Sequence, residues 1–486
     1  MKTISFCAFL LITLFVMVAC DKPADPGVTP TPPVVTPPIT QTTVSATSAF
    51  YVSITTGDDS RTAAQAQNAA TPWKTIQKAF NSLPASATLI IAGGTYAEKV
   101  KVPISANGTA NAPTVIRNKV GETVILDGQN TGSQWEGLFS LNGNKHIIVK
   151  GLKAQNGFWY GFSGEGTTNV TLDSCSTFNT RASGIYVKTS SQLTITRNNV
   201  RRACQEPNRD ASGNGTQECI TLGGCSQFSV TKNEIWDSTV PGNSGGEGID
   251  AKGGCYDGEI SGNYVHDIVP LGIYIDAGSR EQYNIRVFGN RLVSTGGLSV
   301  AGELGGHARD VYFYNNLVVN SKSSGLTFQS IGNGKYTNVY VVNNTFYNNA
   351  ISGFAGDIGN YSKNAGNTNI VIRNNIFYNK TANYRFSIWH DIAAPHVISH
   401  NLYFDFRVSN NGANSFNATK LTTADVQADP QFVNVPGSDF LLKATSPAIN
   451  KGVIVTLPGT TTPLFITDSN GKSRGTSGWD MGAFEF

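Results

Sequence analysis

The chain has 486 residues, of which 14% are charged, and its formal net charge is +3. A charge this small, with no basic stretch interleaved with aromatic residues, gives no support for nucleic acid as a partner. The 51 glycines and the low charge are typical of a β-rich chain with many tight turns.

Residues 1–20 predict an export signal that is not part of the fold. A short positive start precedes an apolar run over residues 6–18, which is too short for a resident membrane span. A cysteine follows a small residue at Ala19-Cys20. This pattern indicates a lipoprotein, with Cys20 as the lipidated first residue and its acyl chains as the membrane anchor. We therefore expect an exported protein of the cell envelope, held at the outer membrane or cell surface; the alternative is plain cleavage and secretion.

Residues 21–46 are dominated by proline and threonine and predict a stiff, extended linker between the anchor and the body, residues 47–486. The body has five cysteines, and an exported compartment permits disulfides. Cys204 could pair with Cys219, or Cys225 with Cys255. The alternative is that these cysteines are stacked and reduced in the core.

The strongest pattern in the body is an internal repeat. Short stretches of alternating apolar residues end in an asparagine and an apolar or aromatic pair, as in FSVTKNEI, IRVFGNRL and IVIRNNIF. A period of roughly thirty residues built of short strands predicts a solenoid of β coils. Asparagine suits the bend because it tolerates left-handed backbone angles and its amide can bond to the same residue one coil later. The recurring residues are Asn199, Asn233, Asn263, Asn290, Asn316, Asn344, Asn375 and Asn401.

Motifs at both ends of the body add a family resemblance. The start reads YVS at 51–53, GDD at 57–59, TPWKTIQKA at 71–79 and GGTY at 93–96, and the end reads SPAINKG at 446–452 and WDMGAFE at 479–485. Together with the repeat, these motifs resemble the right-handed parallel β-helix proteins of the pectate-lyase superfamily. The resemblance implies an all-β, right-handed parallel β-helix over 47–486. Residues 73–83 predict a short amphipathic helix that covers the open N-terminal end of the solenoid.

Four acidic residues precede the recurring asparagine of their coils by nearly the same distance. Strands of neighbouring coils are about 4.8 Å apart, so equal phase predicts that Glu218, Asp250, Asp276 and Glu303 form one column on one flank. Stacked carboxylates repel each other, which raises the pKa of at least one of them. Folding does not require such a column, so it indicates a site that uses acids, a bound cation, or both.

The first interpretation of this column is a polysaccharide-cleaving glycosidase. Such an enzyme needs two carboxyl groups, about 5 Å apart for retention and about 6.5–9.5 Å apart for inversion. Asp276 and Glu303, one coil apart, meet the first spacing, with Glu303 as general acid and Asp276 as nucleophile. Asp250 and Glu303, two coils apart, approach the second, with Asp250 as the base for a water. Neither case needs a cofactor.

The second interpretation is a calcium-dependent uronate lyase. The segments EGIDAK at 247–252 and GIYID at 272–276 are similar to the calcium-site region of the family 9 pectate lyases. That resemblance implies a Ca²⁺ ion held by Glu247, Asp250 and Asp276. It also implies a proton-abstracting base among Lys252, Arg280 and Arg309. The family has two adjacent acids just before the glycine of the second segment, whereas this chain reads PL at 270–271, so part of the calcium site is missing.

The third interpretation is a glycan-binding or adhesin β-helix without catalytic activity, whose acids hold a structural calcium. In all three interpretations the partner is a polysaccharide, and a long solenoid is expected to be a monomer. The aromatic residues that could offer faces on which sugars stack are Trp159, Tyr160, Tyr186, Tyr274 and Phe328. The further residues expected at the substrate site are Glu218, Tyr274, Arg280, His307 and Arg309.

Overall fold

A computed structural model describes residues 48–206, 217–238, 245–329, 331–351, 356–360, 364–379, 388–390, 396–404 and 421–486. The export signal, Cys20 and the linker 21–46 lie outside the described residues, so the lipid anchor stays a prediction. Among the described residues, no helix has both the length and the apolar character needed to cross a bilayer.

Three long parallel sheets form the body, and each coil contributes one strand to each sheet in turn. This confirms the predicted parallel β solenoid. In pairing order, the strands of sheet A are Ala49–Val52, Thr88–Ile91, Thr114–Asn118, Lys145–Lys150, Thr168–Asp173, Ser191–Thr196, Ser226–Thr231, Tyr256–Ser261, Glu281–Phe288, His307–Tyr314, Lys335–Val342, Thr368–Arg373 and His396–Ser399.

The other two sheets follow the same order along the axis. The strands of sheet B are Gly94–Tyr96, Val124–Asp127, Leu152–Gln155, Ser176–Phe178, Asn199–Arg201, Glu234–Trp236, Tyr264–His266, Arg291–Val293, Leu317–Val319, Thr345–Tyr347, Ile376–Tyr378, Leu402–Phe404 and Val426–Gln427. The strands of sheet C are Val100–Lys101, Gly137–Ser140, Tyr160–Glu165, Ile185–Lys188, Ile220–Gly223, Ile249–Lys252, Ile273–Asp276, Leu298–Ala301, Leu326–Phe328, Ile358–Asn360 and Ile388–His390. A separate antiparallel pair is formed by Phe432–Asn434 and Asp439–Leu442.

The predicted capping helix spans Ile76–Ser82. Thr75 caps it by accepting a hydrogen bond from the Lys78 N–H, and Ile76 and Phe80 join the core of the solenoid. A shorter helix spans Ala63–Ala66, and two 3₁₀ turns span Ile104–Ala106 and Ile331–Asn333. The apolar face of the capping helix thus covers the first coils, where the stack would otherwise expose its interior.

A ladder of asparagines runs inside the corner between sheets A and B. Each side-chain amide donates to the Oδ1 atom of the next asparagine, as from Asn263 to Asn290 at 2.9 Å and from Asn290 to Asn316 at 3.0 Å. The same Oδ1 atoms accept the backbone N–H groups of the bend, which would otherwise be buried without a partner. The rungs are Asn198, Asn233, Asn263, Asn290, Asn316, Asn344, Asn375 and Asn401.

One rung differs from the sequence-based prediction. Asn198, not Asn199, occupies the ladder, because its amide donates to Asn233 at 2.9 Å while Asn199 begins the next strand and faces outward. Two adjacent asparagines cannot be told apart by spacing alone, because a shift of one residue turns a side chain to the other side of the backbone.

The five cysteines of the body are buried and unbridged. Cys225 and Cys255 are stacked in successive coils, where the Cys225 N–H donates to the Cys255 Sγ atom at 3.2 Å. The Cys204 thiol donates to the Gln217 carbonyl at 2.7 Å. The structure thus has the stacked, reduced arrangement of the two alternatives.

Residues 443–486 form a C-terminal strap that packs along the outside of coils formed much earlier in the chain. Phe465 stacks on Tyr314 at 4.6 Å, and Trp479 packs against Phe465 at 4.8 Å. Arg474 is buried, donates to Asn315 and forms an ion pair with Glu485 at 2.7 Å. The strap therefore seals apolar side chains that point out of sheet A, in addition to those that fill the interior.

Candidate functional site

The candidate site lies on the outer face of sheet C, where two columns of side chains run along the axis. In the first column, the residues in register are Thr221, Asp250, Tyr274 and Ser299. In the second column, two residues further along each strand, they are Gly223, Lys252, Asp276 and Ala301. Because alternate residues of a strand face the same side, both columns share one surface.

The four acids do not form the single column that was predicted. Asp250 and Asp276 stand in different columns, Glu218 precedes its strand beside Glu247, and Glu303 lies in the turn after the strand Leu298–Ala301. The predicted column rested on equal spacing between each acid and the ladder asparagine of its coil. The turn between sheets C and A lies within this spacing and differs in length from coil to coil, so equal spacing does not give equal positions on sheet C. The acids nevertheless converge, since each pKa shift described below has other members of the group among its causes. We call Glu218, Glu247, Asp250, Asp276 and Glu303 the acid cluster.

Lys252 is the cation at the centre of the acid cluster. Its Nζ atom lies 2.6 Å from Glu218 Oε1 and 3.9 Å from Asp250 Oδ2. Burial alone would lower the pKa of Lys252, but the charges of Glu218 and Asp250 outweigh it and raise that pKa above its usual value. Thr221 adds a hydrogen bond of 2.9 Å to the other oxygen of Glu218, which holds this carboxylate against the ammonium group.

Two members of the acid cluster favour the protonated form. Burial, and then the charge of Glu218, raise the pKa of Glu247 to about 8. The same two causes raise the pKa of Asp250 well above its usual value. Asp250 is 2% exposed, and its Oδ1 atom is buried without a hydrogen-bond partner. Protonation removes the cost of burying a charge at this position.

Asp276 and Glu303 form the second half of the site, with Tyr274 between them. The Tyr274 hydroxyl donates to Glu303 Oε1 at 2.5 Å, and the Gly278 N–H donates to Asp276 Oδ1 at 2.7 Å. Burial, and then the charge of Glu303, raise the pKa of Asp276 to about 6. Burial raises the pKa of Tyr274, so its hydroxyl remains a hydrogen-bond donor.

Three of the predicted site residues do not join this group. His307 and Arg309 begin a strand of sheet A, where Arg309 pairs with Glu281 at 2.7 Å and His307 contacts Thr337 at 2.9 Å. Arg280 is exposed in the turn between sheets C and A. Their proximity to Asp276 and Glu303 in the sequence reflects the corner of the coil, where the chain leaves one face for the next.

A group of aromatic rings continues the candidate site toward the N-terminal coils. Tyr186 is in register with Thr221 and hence stands in the column of Asp250, and its ring stacks on Tyr160 at 4.3 Å. The ring centroids of Trp159 and Tyr160 are 6.4 Å apart, and those of Trp135 and Trp159 are 5.6 Å apart. The sequence analysis missed Trp135, although a tryptophan in a polar turn segment, GSQWEG, is itself a signal of an exposed aromatic surface.

Comparison with known proteins gives the same fold. The model of the Pel9A-like right-handed β-helix region matches residues 50–228. The structure of pectate lyase Pel9A is similar over 91% of this chain and 97% of its own, with a TM-score of 0.50 and 16% identity. The chain has the fold of a right-handed parallel β-helix.

Two further similarities of this β-helix cover most of its length. The complex of XylC with xylose matches over 90% of this chain and 98% of its own, with a TM-score of 0.58 and 13% identity. The uncharacterized protein YwoF of Bacillus subtilis (strain 168) is 28% identical over 322 residues. That match covers 61% of this chain and 62% of YwoF, so the chain spans less than two thirds of this relative.

The donor atoms of the acid cluster are of the kind that calcium prefers, but their arrangement does not fit the ion. Ca²⁺ takes six to eight oxygen ligands around one point. Among the described residues, no three His, Cys, Asp or Glu side chains are gathered closely enough to hold a metal ion. Where a cation would neutralise Glu218 and Asp250, the structure has the ammonium group of Lys252.

Proposed function

We propose that this protein is a glycoside hydrolase that cleaves a polysaccharide with retention of configuration, using Asp276 as nucleophile and Glu303 as general acid and base. The carrying observation is the pair itself: the charge of Glu303 helps to raise the pKa of Asp276, and Glu303 accepts a hydrogen bond from the buried Tyr274. Asp276 stands on a strand next to Ala301, two residues before Glu303. Asp276 and Glu303 thus come from neighbouring coils, whose strands are about 4.8 Å apart, and this supports the proposal of the short carboxyl spacing that retaining enzymes use.

The positions of the two groups favour these roles. Asp276 is 9% exposed, sits on a regular strand and has one oxygen held by the Gly278 N–H, so that the other oxygen would act as the nucleophile. Glu303 lies in a turn and is partly exposed, so it can exchange a proton with water. A nucleophile needs fixed geometry, whereas an acid and base needs a route for protons.

The reaction follows in two balanced steps. Glu303 gives its proton to the glycosidic oxygen as the bond to the anomeric carbon breaks, and the Asp276 carboxylate forms a bond to that carbon. The leaving sugar departs with the proton. Glu303 then takes a proton from a water molecule, whose oxygen attacks the same carbon and releases Asp276. Tyr274 holds Glu303 throughout by its hydrogen bond to Oε1.

The acid limb of the pH–rate profile is the first test of this assignment. Asp276 must be ionised to attack, and its pKa is about 6. We therefore expect kcat/KM to fall about tenfold for each pH unit below 6 and to be level just above it. The measurement is the rate of reducing-end release between pH 4 and 8 on whichever polysaccharide is cleaved in a screen.

Lys252→Gln should shift this limb in a defined direction. The charge of Lys252 lowers the pKa of Asp276, so its removal should move the limb to higher pH. The matched control is Lys188→Gln, which removes a cation of the same face that pairs with Glu165. If the acid limb is unchanged in Lys252→Gln, the group that titrates in this limb is not Asp276, and the assignment of Asp276 as nucleophile is contradicted.

The second candidate function is a uronate lyase, which the Pel9A-like match and the segments 247–252 and 272–276 favour. The matched region ends at residue 228, before the acid cluster. A lyase would use a basic side chain to remove a proton beside a uronate, and the raised pKa of Lys252 does not suit that role while Glu218 and Asp250 remain bound to its ammonium group.

A chelator separates the two functions. We expect activity to persist with excess EDTA and the products to lack the ultraviolet absorbance of an unsaturated uronate, because the pair Asp276 and Glu303 needs no metal. The control is the same assay with calcium added back. Loss of activity in EDTA, restored by calcium, together with absorbing products, would favour the lyase. The lipid anchor, the surface location and the monomeric state remain predictions from the sequence.

A further inference from the structure

The outer face of sheet C changes in character along the helix axis. It has carboxylates at the acid cluster and aromatic rings toward the N-terminal coils. Trp135 is 61% exposed at the far end of this group, while Trp159 is 6% and Tyr160 2% exposed beneath it. Tyr186 is partly exposed at the end nearest the acid cluster. We call Trp135, Trp159, Tyr160 and Tyr186 the aromatic strip.

The aromatic strip is more than ordinary packing. An exposed tryptophan on a left-handed backbone, with φ of 68°, has a conformation that no local turn preference of tryptophan explains. Trp159 and Tyr160 are buried beneath the surface, so the exposed Trp135 and the partly exposed Tyr186 are the rings of this group that a ligand can contact. Accessible aromatic faces are suited to a ligand that has apolar faces of its own.

The charges along the same path argue against an anionic ligand. The acid cluster has five carboxyl groups and one central cation. Three basic side chains along the path have carboxylate partners: Lys252 pairs with Glu218 at 2.6 Å, Lys188 with Glu165 at 3.5 Å and Lys99 with Glu136 at 2.7 Å. A polyuronate has a negative charge on each unit, and binding it here would place these charges against the carboxylates of the acid cluster.

Distances along the axis set the length of the ligand. From the strand of Asp276 to that of Tyr186 there are three strand steps, or roughly 14 Å, and two more reach the strand that follows Trp135, at roughly 24 Å. Each step is close to the length of one glycosyl unit in an extended glycan. A chain that reaches from the reacting bond to Trp135 therefore has about five units on that side.

We propose that the aromatic strip binds an uncharged polysaccharide, whose chain lies along the helix axis from Asp276 and Glu303 to Trp135. This inference rests on the proposed function for the position of the reacting bond, but the binding surface itself does not. The sugar faces stack on Trp135 and Tyr186, and Trp159 and Tyr160 support these two rings from beneath. Substrates shorter than the strip are bound by the acid cluster alone.

The test uses the full chain and a binding readout that needs no cleavage. Native gels with embedded arabinoxylan, xyloglucan, mixed-linkage β-glucan or polygalacturonate report binding as slower migration. We expect at least one of the three neutral polymers, and not polygalacturonate, to slow the protein. Trp135→Ala should weaken that retardation roughly tenfold in apparent Kd, whereas Trp135→Phe should largely keep it.

The matched control is Phe178→Ala, which removes another exposed ring from sheet B and should leave the retardation unchanged. Thermal melting of each variant checks that the fold is intact. No retardation by any neutral polymer, retardation by polygalacturonate alone, or an equal effect of Trp135→Ala and Phe178→Ala would overturn the inference.

A kinetic arm separates this inference from the proposed function. If a neutral polymer is cleaved, Trp135→Ala should raise KM for the polymer about tenfold, whereas Phe178→Ala should leave this KM at the parent value. Equal rates on polymer for the parent protein and Trp135→Ala would contradict the inference about the aromatic strip and leave the proposed hydrolase activity untouched. Binding that depends on Trp135, with no cleavage of any polymer, would contradict the proposed hydrolase function and support the inference about the aromatic strip.

Discussion

Glu303→Gln should lower kcat by roughly a hundred- to ten-thousandfold, and Asp276→Asn by at least as much, because each change removes one of the two groups that move electrons or protons at the reacting bond. Both substitutions keep the size of the side chain, so the solenoid should be undisturbed. The measurement is reducing-end release from the polysaccharide identified by the screen, with thermal melting to confirm folding.

The two variants should also differ from each other in a way that assigns their roles. With a dinitrophenyl glycoside, whose leaving group needs no proton, Glu303→Gln should form the glycosyl intermediate rapidly and then stall. Azide, which attacks without a base, should restore its turnover and give a glycosyl azide of retained configuration. Asp276→Asn should form no intermediate under any of these conditions.

Glu281→Gln is the matched control for both variants. Glu281 is an exposed acid that pairs with Arg309 on sheet A, outside the acid cluster, so its substitution should leave kcat within about twofold of the parent. Full activity in Asp276→Asn, or an equal loss in Glu281→Gln, would contradict the proposed site.

The second large effect concerns stability. Asn198→Ala should cost about 2–4 kcal/mol of unfolding free energy, because it leaves the buried N–H of Cys175 without its acceptor and removes the bonds to the Leu172 carbonyl and to Asn233. The side chain of its neighbour Asn199 faces outward, and its hydrogen bonds are to side chains of the next coil. Asn199→Ala should cost less than about 1 kcal/mol.

Urea unfolding followed by circular dichroism compares the two variants, and equal m-values would show that the cooperativity of the solenoid is unchanged. The pair is informative because the substitutions are identical in chemistry and adjacent in sequence. A larger loss in Asn199→Ala would place Asn199 on the ladder, as its spacing in the sequence suggested.

The fold could be read from the sequence because its determinants are local and repeated. A bend that recurs every coil, with alternating apolar residues before it, specifies the strands, the interior and the direction of stacking. The capping helix was predictable for the same reason, because Ile76 and Phe80 fall on one face of a single short segment. Errors of one residue, as at Asn198 and Asn199, arise where two chemically equal candidates are adjacent.

The candidate site was only partly predictable. The sequence identified Asp250, Asp276, Glu303 and Lys252, but it could not show that Asp250 and Asp276 stand in separate columns, because the turns between sheets C and A vary in length. In the lyase interpretation it offered Lys252 as one of three candidate bases, whereas in the structure contact with Glu218 raises the pKa of Lys252. The direction of a pKa shift depends on neighbours from other coils, which spacing does not reveal.

The C-terminal strap has a consequence for the order in which the molecule is completed. In the three coils beside it, the ladder asparagine is preceded by a second asparagine, and these extra residues bond to the strap: Asn315 to Thr467, Asn343 to Asp480 and Asn374 to Val453. Coils can stack one after another as the polypeptide emerges, but this docking needs partners more than 70 residues apart, and in two cases more than 130. Docking of the C-terminal strap is therefore a late step in completing the fold. Until the strap docks, the side-chain amides of these asparagines and the aromatic rings that it covers remain exposed to water and to neighbouring chains.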